Sequence, residues 1–259
     1  MITCKLLGGI GNQLFQISAT YALALRNNDI SGFDFDLCST PNQGHTSNKY
    51  KDSILSKVNN VNGFNHRHIY IEPRFGYEEI PYAKDLMLHG YFQSEKYFKD
   101  FEKEIIELFH FSIDDKKKIK NFFHWWGLLD KPITSVHIRR GDYLKFTDFH
   151  PVCSPEYFNN AMKEIGDSYF VFVSDDMDWV KATFTGNTNY IYSDFNDETL
   201  DLTLLTMCDN NITSNSSFSW WGAYLNQNKD KKIIAPKQWF GPSGPQDTQD
   251  LIPDGWIKI

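Results

Sequence analysis

The stretch "SVHIRRGDY", residues 135–143, decides how this chain is read. From Ile133 to Ile138 the residues suit a buried β-strand, and two arginines follow at once. In an open α/β sheet the carboxyl ends of strands are where ligands are held. A guanidinium is always charged and presents a planar fork of donors that matches phosphate oxygens. Strand alternation sends Arg139 and Arg140 to different sides, so one is expected to meet an anion while the other pairs with a carboxylate such as Asp142. A structural ion-pair cluster is the alternative reading of the same residues.

Downstream of this strand, short β-rich runs alternate with amphipathic segments. Strands are expected at 133–138, 169–173, 189–192, 211–213 and 232–235, with helices at 155–165, 177–184, 198–208 and 217–228 between them. Repeated βα units imply a mainly parallel sheet. Upstream, residues 2–7 read as a strand, followed by a glycine turn and a helix in which Leu14, Ile17, Tyr21 and Ala24 share a face. Residues 40–68 are polar and weakly periodic, which predicts loops and short elements. A second short strand and a helix carrying Phe98, Phe101, Ile105 and Leu108 come next, and a lysine-rich run at 116–120 precedes the change of pattern. The fold class is α/β, as two domains facing a cleft, 1–125 and 126–259, with a soft boundary near 120–132.

Composition narrows the function. With 26 basic and 33 acidic residues the formal charge is −7, which argues against a nucleic-acid footprint, so any anion site is local. The four cysteines show no metal-ligand spacing and read as free thiols of a reducing compartment. There is no basic leader before an apolar core and no apolar run of about 18 residues. A cytoplasmic protein without a membrane span is the expectation, with peripheral membrane association left open.

Three further stretches carry polar chemistry. In "GGIGNQLFQ", residues 8–16, Gly9 and Gly11 let the backbone approach a ligand, while the amides of Asn12 and Gln13 suit a neutral polyol; the plain alternative is a tight turn. In "FVFVSDD", residues 170–176, Asp175 and Asp176 admit three readings: a divalent metal, the edge of a base such as guanine, or a helix N-cap, of which base recognition or capping is preferred. In "ITSNSSFSWWGAYL", residues 212–225, a hydroxyl-rich turn opens a helix whose free amides would face a phosphate. Trp220 and Trp221 either stack on a sugar or fill the core, and core packing is the expectation because large aromatics dominate burial.

These motifs, together with "HGYFQSEKYF" at 89–98, stand in the order and approximate spacing of the α-1,2-fucosyltransferase family, the bacterial relatives of the blood-group H enzymes, which the chain resembles from about residue 5 to residue 235. The departures lie in the polar region 40–80 and in a length short for that family. The resemblance implies a GT-B glycosyltransferase of two Rossmann-like domains, the N-terminal one on the acceptor side and the C-terminal one holding the donor. It also implies a GDP-fucose donor, no further cofactor and no metal. Carried over by position, Arg139 would hold the pyrophosphate, and His137, Asp175 and Asp176 would lie near guanine. Asn215, Ser216 and Ser217, with Phe218, would cradle the phosphates, and Gly9, Gly11, Asn12 and Gln13 would approach the sugar. Asp142 and Asp148 are the candidates for the base that deprotonates a galactoside acceptor. A different donor sugar or acceptor, or a non-catalytic carbohydrate-binding protein, are the competing functions.

Overall fold

The computed structural model describes residues 1–40, 44–128 and 130–259, which divide into two compact units. Residues 41–43 of the polar region and residue 129 of the expected boundary lie outside the described residues.

The first unit comprises Met1–His110 and Asp247–Pro253. Its elements are β1 (Ile2–Cys4), α1 (Ile10–Arg26), β2 (Ser31–Gly32), β3 (His68–Ile71), β4 (Leu86–His89) and α2 (Glu102–Leu108). The four strands form an all-parallel sheet in the order β2-β1-β4-β3. Helix α1 starts at Gly9, whose extended backbone is the N-cap, after Gly8 has turned the chain at φ 76°. The helix is buried on nearly every side, and Ser18 and Thr20 hide their hydroxyls on the carbonyls of Leu14 and Gln16, each at 2.7 Å. The helix expected from Phe98 onward is broken: two short 3-10 turns, Glu95–Tyr97 and Lys99–Phe101, come before α2. Non-helical backbone at Phe98, φ −140° and ψ 0°, lets that fully buried ring enter the core at the expense of the helix.

The second unit comprises Phe111–Gln246 and Asp254–Ile259. It runs α3 (Ile113–Trp125), β5 (Ile133–Ile138), α4 (Pro155–Ile165), β6 (Tyr169–Ser174), α5 (Met177–Thr183), β7 (Tyr190–Tyr192), α6 (Glu198–Met207), β8 (Asn210–Ile212), α7 (Ser217–Tyr224), β9 (Ile233–Ala235) and β10 (Ile257–Lys258). The sheet is parallel throughout, in the order β10-β9-β8-β5-β6-β7. Local signals start and stop several of these elements, although α7, expected over 217–228, ends at Tyr224. Helix α4, for example, is capped by the Ser154 hydroxyl, carries Pro155 in its first turn and ends at Gly166 with φ 92°.

The division between units differs from the one expected after residue 125. Helix α3, unforeseen behind its lysine run, is capped by Ser112 and packs on α6, which places it in the second unit. Residues 247–253 belong to the first unit because Asp250 accepts from the Tyr77 amide at 3.0 Å and pairs with Lys96, while its carbonyl accepts from the Ser94 hydroxyl at 2.7 Å.

Strand order fixes where a ligand can sit. From β5 the chain moves outward through β6 and β7, then returns to the other side of β5 as β8 and moves away through β9. Crevices at such reversals, beyond the strands' carboxyl ends, are the usual ligand sites of open α/β sheets. In the second unit this point falls between β5 and β8, and in the first between β1 and β4.

Close packing of α7 on α6 supports the crevice from beneath. A Cβ added to Gly222 would stand 2.5 Å from the Leu205 Cβ. Gly222→Ala is therefore expected to destabilise the chain by about 1–3 kcal/mol through overpacking. Urea denaturation measures this; an unchanged midpoint would show that α7 can shift freely. Trp220 and Trp221 are fully buried, and Trp220 stacks on Tyr224 at 4.7 Å between ring centroids, so the tryptophan pair belongs to packing. No helix among the described residues is long and apolar enough to cross a membrane.

Candidate active site

At the β5/β8 crevice the arginine motif turns sharply out of the sheet. The Arg139 Nη2 donates to Asp142 Oδ1 at 2.6 Å, its Nη1 lies 3.2 Å from Asp175 Oδ2, and its guanidinium carbon stands 5.4 Å from the centre of the Tyr143 ring. Burial works against the charge on Arg139, and the Asp175 and Asp142 carboxylates outweigh that cost, so its pKa is raised. Asp175 is also buried enough for its carboxyl to rise above the usual range despite the Arg139 charge beside it. Gly141 makes this approach possible, since a Cβ there would meet Asp175 Oδ2 at 2.4 Å. The guanidinium is thereby held on two sides, and its side chain keeps 29% exposure.

Arg140 takes the structural part. Its Nε donates to Asp176 Oδ2 at 2.9 Å, and its guanidinium lies 3.7 Å from the centre of the Trp179 ring. Asp176 Oδ1 accepts from the Trp179 amide at 3.3 Å and so caps α5. Of the two preferred readings of the aspartate pair, base recognition or capping, Asp176 shows the cap. Asp176 is spent on a cap and an ion pair, and Asp175 on Arg139 and on the Arg140 amide at 2.8 Å. Two arginines against Asp142, Asp175 and Asp176 give 2 − 3 = −1, so attraction for an anion here comes from directed donors rather than net charge.

Opposite Arg139, the chain leaves β8 through Thr213–Ser216. His137 is buried, its Nδ1 lies 3.0 Å from the Ser214 hydroxyl, and its ring centre is 5.2 Å from that of Phe218. Burial, then the Arg139 charge, pushes its pKa down to about 3, so the imidazole is neutral at physiological pH. Ser216 is the N-cap of α7 and makes no side-chain cap bond. Asn215 departs from its expected role as a phosphate ligand: it is fully buried, its Nδ2 donates to the carbonyls of Pro151 and Trp239, both at 2.8 Å, and its Oδ1 accepts from the Cys153 thiol at 3.4 Å. Its side chain fixes the turn and leaves the approach to Ser216, Ser217 and the start of α7.

Sequence reasoning missed Ser214, Tyr143 and His150. The Tyr143 hydroxyl donates to the Asn215 carbonyl at 3.0 Å, and its ring lies flat on His150 at 4.4 Å between centroids. A hydroxyl cluster after a strand was the visible signal for Ser214; the tyrosine and histidine gave none. Asp148 is exposed, and its side chain has no bond to Arg139. Among the described residues no group of three or more His, Cys, Asp or Glu side chains is placed to hold a metal ion.

In the first unit the glycine motif lies at the β1/β4 reversal. The Asn12 Oδ1 accepts from Gln93 Nε2 at 2.7 Å. Gln13, expected to meet a sugar, is instead fully buried, donating to the carbonyls of Gly8 at 2.8 Å and His45 at 2.9 Å and accepting from the Ser47 hydroxyl at 2.8 Å. It holds the turn in shape. Gly11 is buried within α1, and Gly9 remains at the helix start with half-exposed backbone.

Sequence alone did not single out Glu72 beyond β3. Its two oxygens accept the amides of Tyr91 at 2.7 Å and Phe92 at 2.9 Å, and burial raises its pKa to about 7. A carboxyl that is harder to ionise folded than unfolded adds stability below its unfolded pKa, and that contribution is lost as pH rises towards the folded value. Stability should therefore fall between pH ~4.5 and ~7, by a few kcal/mol from this group. In Glu72→Gln that slope should vanish, leaving a constant offset for the lost acceptor. Denaturation at pH 5 and pH 8 checks the difference; equal slopes in both proteins would refute the assignment.

Two parallel Rossmann-like units, one presenting an oriented arginine and a helix start at its switch point, make up a fold of GT-B type. The chain belongs to glycosyl transferase family 11, whose sequence profile matches residues 40–259. An Escherichia coli α-1,2-colitosyltransferase is 28% identical, covering 100% of this chain and 99% of its own length. The rabbit, Oryctolagus cuniculus, galactoside α-(1,2)-fucosyltransferase 2 is 24% identical over 87% of this chain and 67% of its own. Among solved structures, the fucosyltransferase NodZ from Bradyrhizobium superposes with a TM-score of 0.54 at 13% identity, covering 85% of this chain and 90% of its own, which bears on the fold.

Proposed function

We propose that this glycosyltransferase moves L-fucose from GDP-β-L-fucose to the 2-hydroxyl of a terminal β-galactoside, forming an α-1,2 linkage with inversion. The observation that carries the reading is Arg139, held by Asp142 and Asp175 at the switch point of the second unit. In this reading the second unit holds the donor: Arg139 and the amides at the start of α7 take up the charge that grows on the diphosphate as its bond to the sugar C1 breaks. His137 is neutral and fixed by Ser214, which suits the place beside the nucleotide that this reading gives it. The acceptor oxygen forms the new bond to C1, and its proton passes to a base. Asp148 suits that task better than Asp142, because Asp142 already accepts from Arg139 at 2.6 Å.

Incubation with GDP-fucose and methyl β-galactoside, followed by assignment of the product linkage by NMR, tests the reading. An α-1,2-fucosyl product supports it; release of GDP without glycoside, or no consumption of donor, refutes it. The similarity to an enzyme named for α-1,2-colitosyl transfer favours a second donor, so the colitosyl nucleotide is offered in parallel. Preference for it would retain the linkage and change the sugar.

A further inference from the structure

We propose that Phe146 and Phe149 form a shelf on which the terminal sugar of the acceptor stacks, an assignment that rests on the transferase reading above. After the arginine motif, Leu144, Phe146 and Phe149 are 48%, 61% and 39% exposed. Three large apolar side chains are thus bared within six residues. The segment is held firmly. The amides of Phe149 and His150 donate to the Phe146 carbonyl at 2.9 and 2.7 Å, while those of Gly241 and Ser243 donate to the carbonyls of Phe149 and Asp148, both at 3.0 Å. Gly241 fits beneath only because it lacks a Cβ, which would meet the Asp148 carbonyl oxygen at 2.3 Å.

Phe149 is linked to the arginine through two rings. Arg139 lies over Tyr143, Tyr143 stacks on His150 at 4.4 Å, and Phe149 meets His150 edge-on at 4.6 Å and Phe240 at 5.5 Å. Lys145 and Asp148, the charged residues between Leu144 and Phe149, cancel, so the shelf suits a neutral ligand rather than a second phosphate. A galactopyranoside fits this chemistry. Its C3, C4 and C5 hydrogens form one apolar face for an aromatic ring, and its hydroxyls are left for an exposed carboxylate such as Asp148. The shelf would thus place the acceptor's terminal sugar against the second unit.

The probe is methyl β-galactoside, observed by saturation-transfer NMR on the whole chain at saturating GDP, for wild type, Phe146→Ala, Phe149→Ala and Gly241→Ala. This readout needs no turnover. Wild type should give a signal that falls about fivefold to tenfold in each phenylalanine variant, and Gly241→Ala should weaken it by displacing the backbone under Asp148. Calorimetry with GDP on the same proteins verifies folding and should agree with wild type within about twofold. Equal signals in wild type and both phenylalanine variants, or none in wild type, would overturn the shelf. So would a concentration-dependent dimer that Phe149→Ala abolishes, because the patch would then be a contact between two copies. Failure of the transferase reading would show separately, as absence of GDP binding in wild type.

Discussion

Arg139→Lys is expected to lower turnover about a hundredfold or more while the chain stays folded. Lysine keeps a positive charge between Asp142 and Asp175, so the ion-pair cluster retains its balance. What it loses is the planar fork, in which each terminal nitrogen meets a carboxylate and further N–H groups are left for phosphate oxygens. A hundredfold loss corresponds to about 2.7 kcal/mol of transition-state stabilisation. Steady-state kinetics together with a urea midpoint separate the two effects. Near-normal turnover would reduce Arg139 to a structural residue, which is the role the geometry gives its neighbour Arg140 through Asp176 and Trp179.

Asp148→Asn should cost about 10²–10⁴ in kcat, the usual worth of a positioned general base. Its signature is a fall in kcat with GDP affinity retained. Asp142→Asn acts differently, since it removes a partner of Arg139 and should raise the donor KM as well. If Asp142→Asn lowered kcat with GDP affinity retained and Asp148→Asn left kcat unchanged, the roles of the two aspartates would be exchanged.

The second unit was legible because its signals are local. A β-rich run, a polar turn and an amphipathic helix recur with caps at Ser154, Asp176 and Asp197, and the parallel order follows from that alternation. Helix α3 escaped because Ile119 is its only fully buried side chain, so little apolar period shows through the lysines. The motifs were visible as motifs, yet the task of each side chain was not. Gln13 looks like a ligand amide until its partners at His45 and Ser47, more than 30 positions away, are seen. Asn215 looks like a phosphate ligand until Pro151 and Trp239 claim its amide. For Asp175 and Asp176 the cap was among the readings the sequence allowed, while only the fold brings the arginines of the previous strand end onto them. Long-range hydrogen bonds decide such roles, and no local pattern encodes them.

The most direct test of the account is a calorimetric titration of GDP into wild type and Arg139→Lys, with EDTA present. The account predicts clear GDP binding by wild type and a dissociation constant raised about tenfold or more in the variant, matching the loss of one directed, charge-assisted contact. No binding of GDP, or equal affinity in the two proteins, would contradict it.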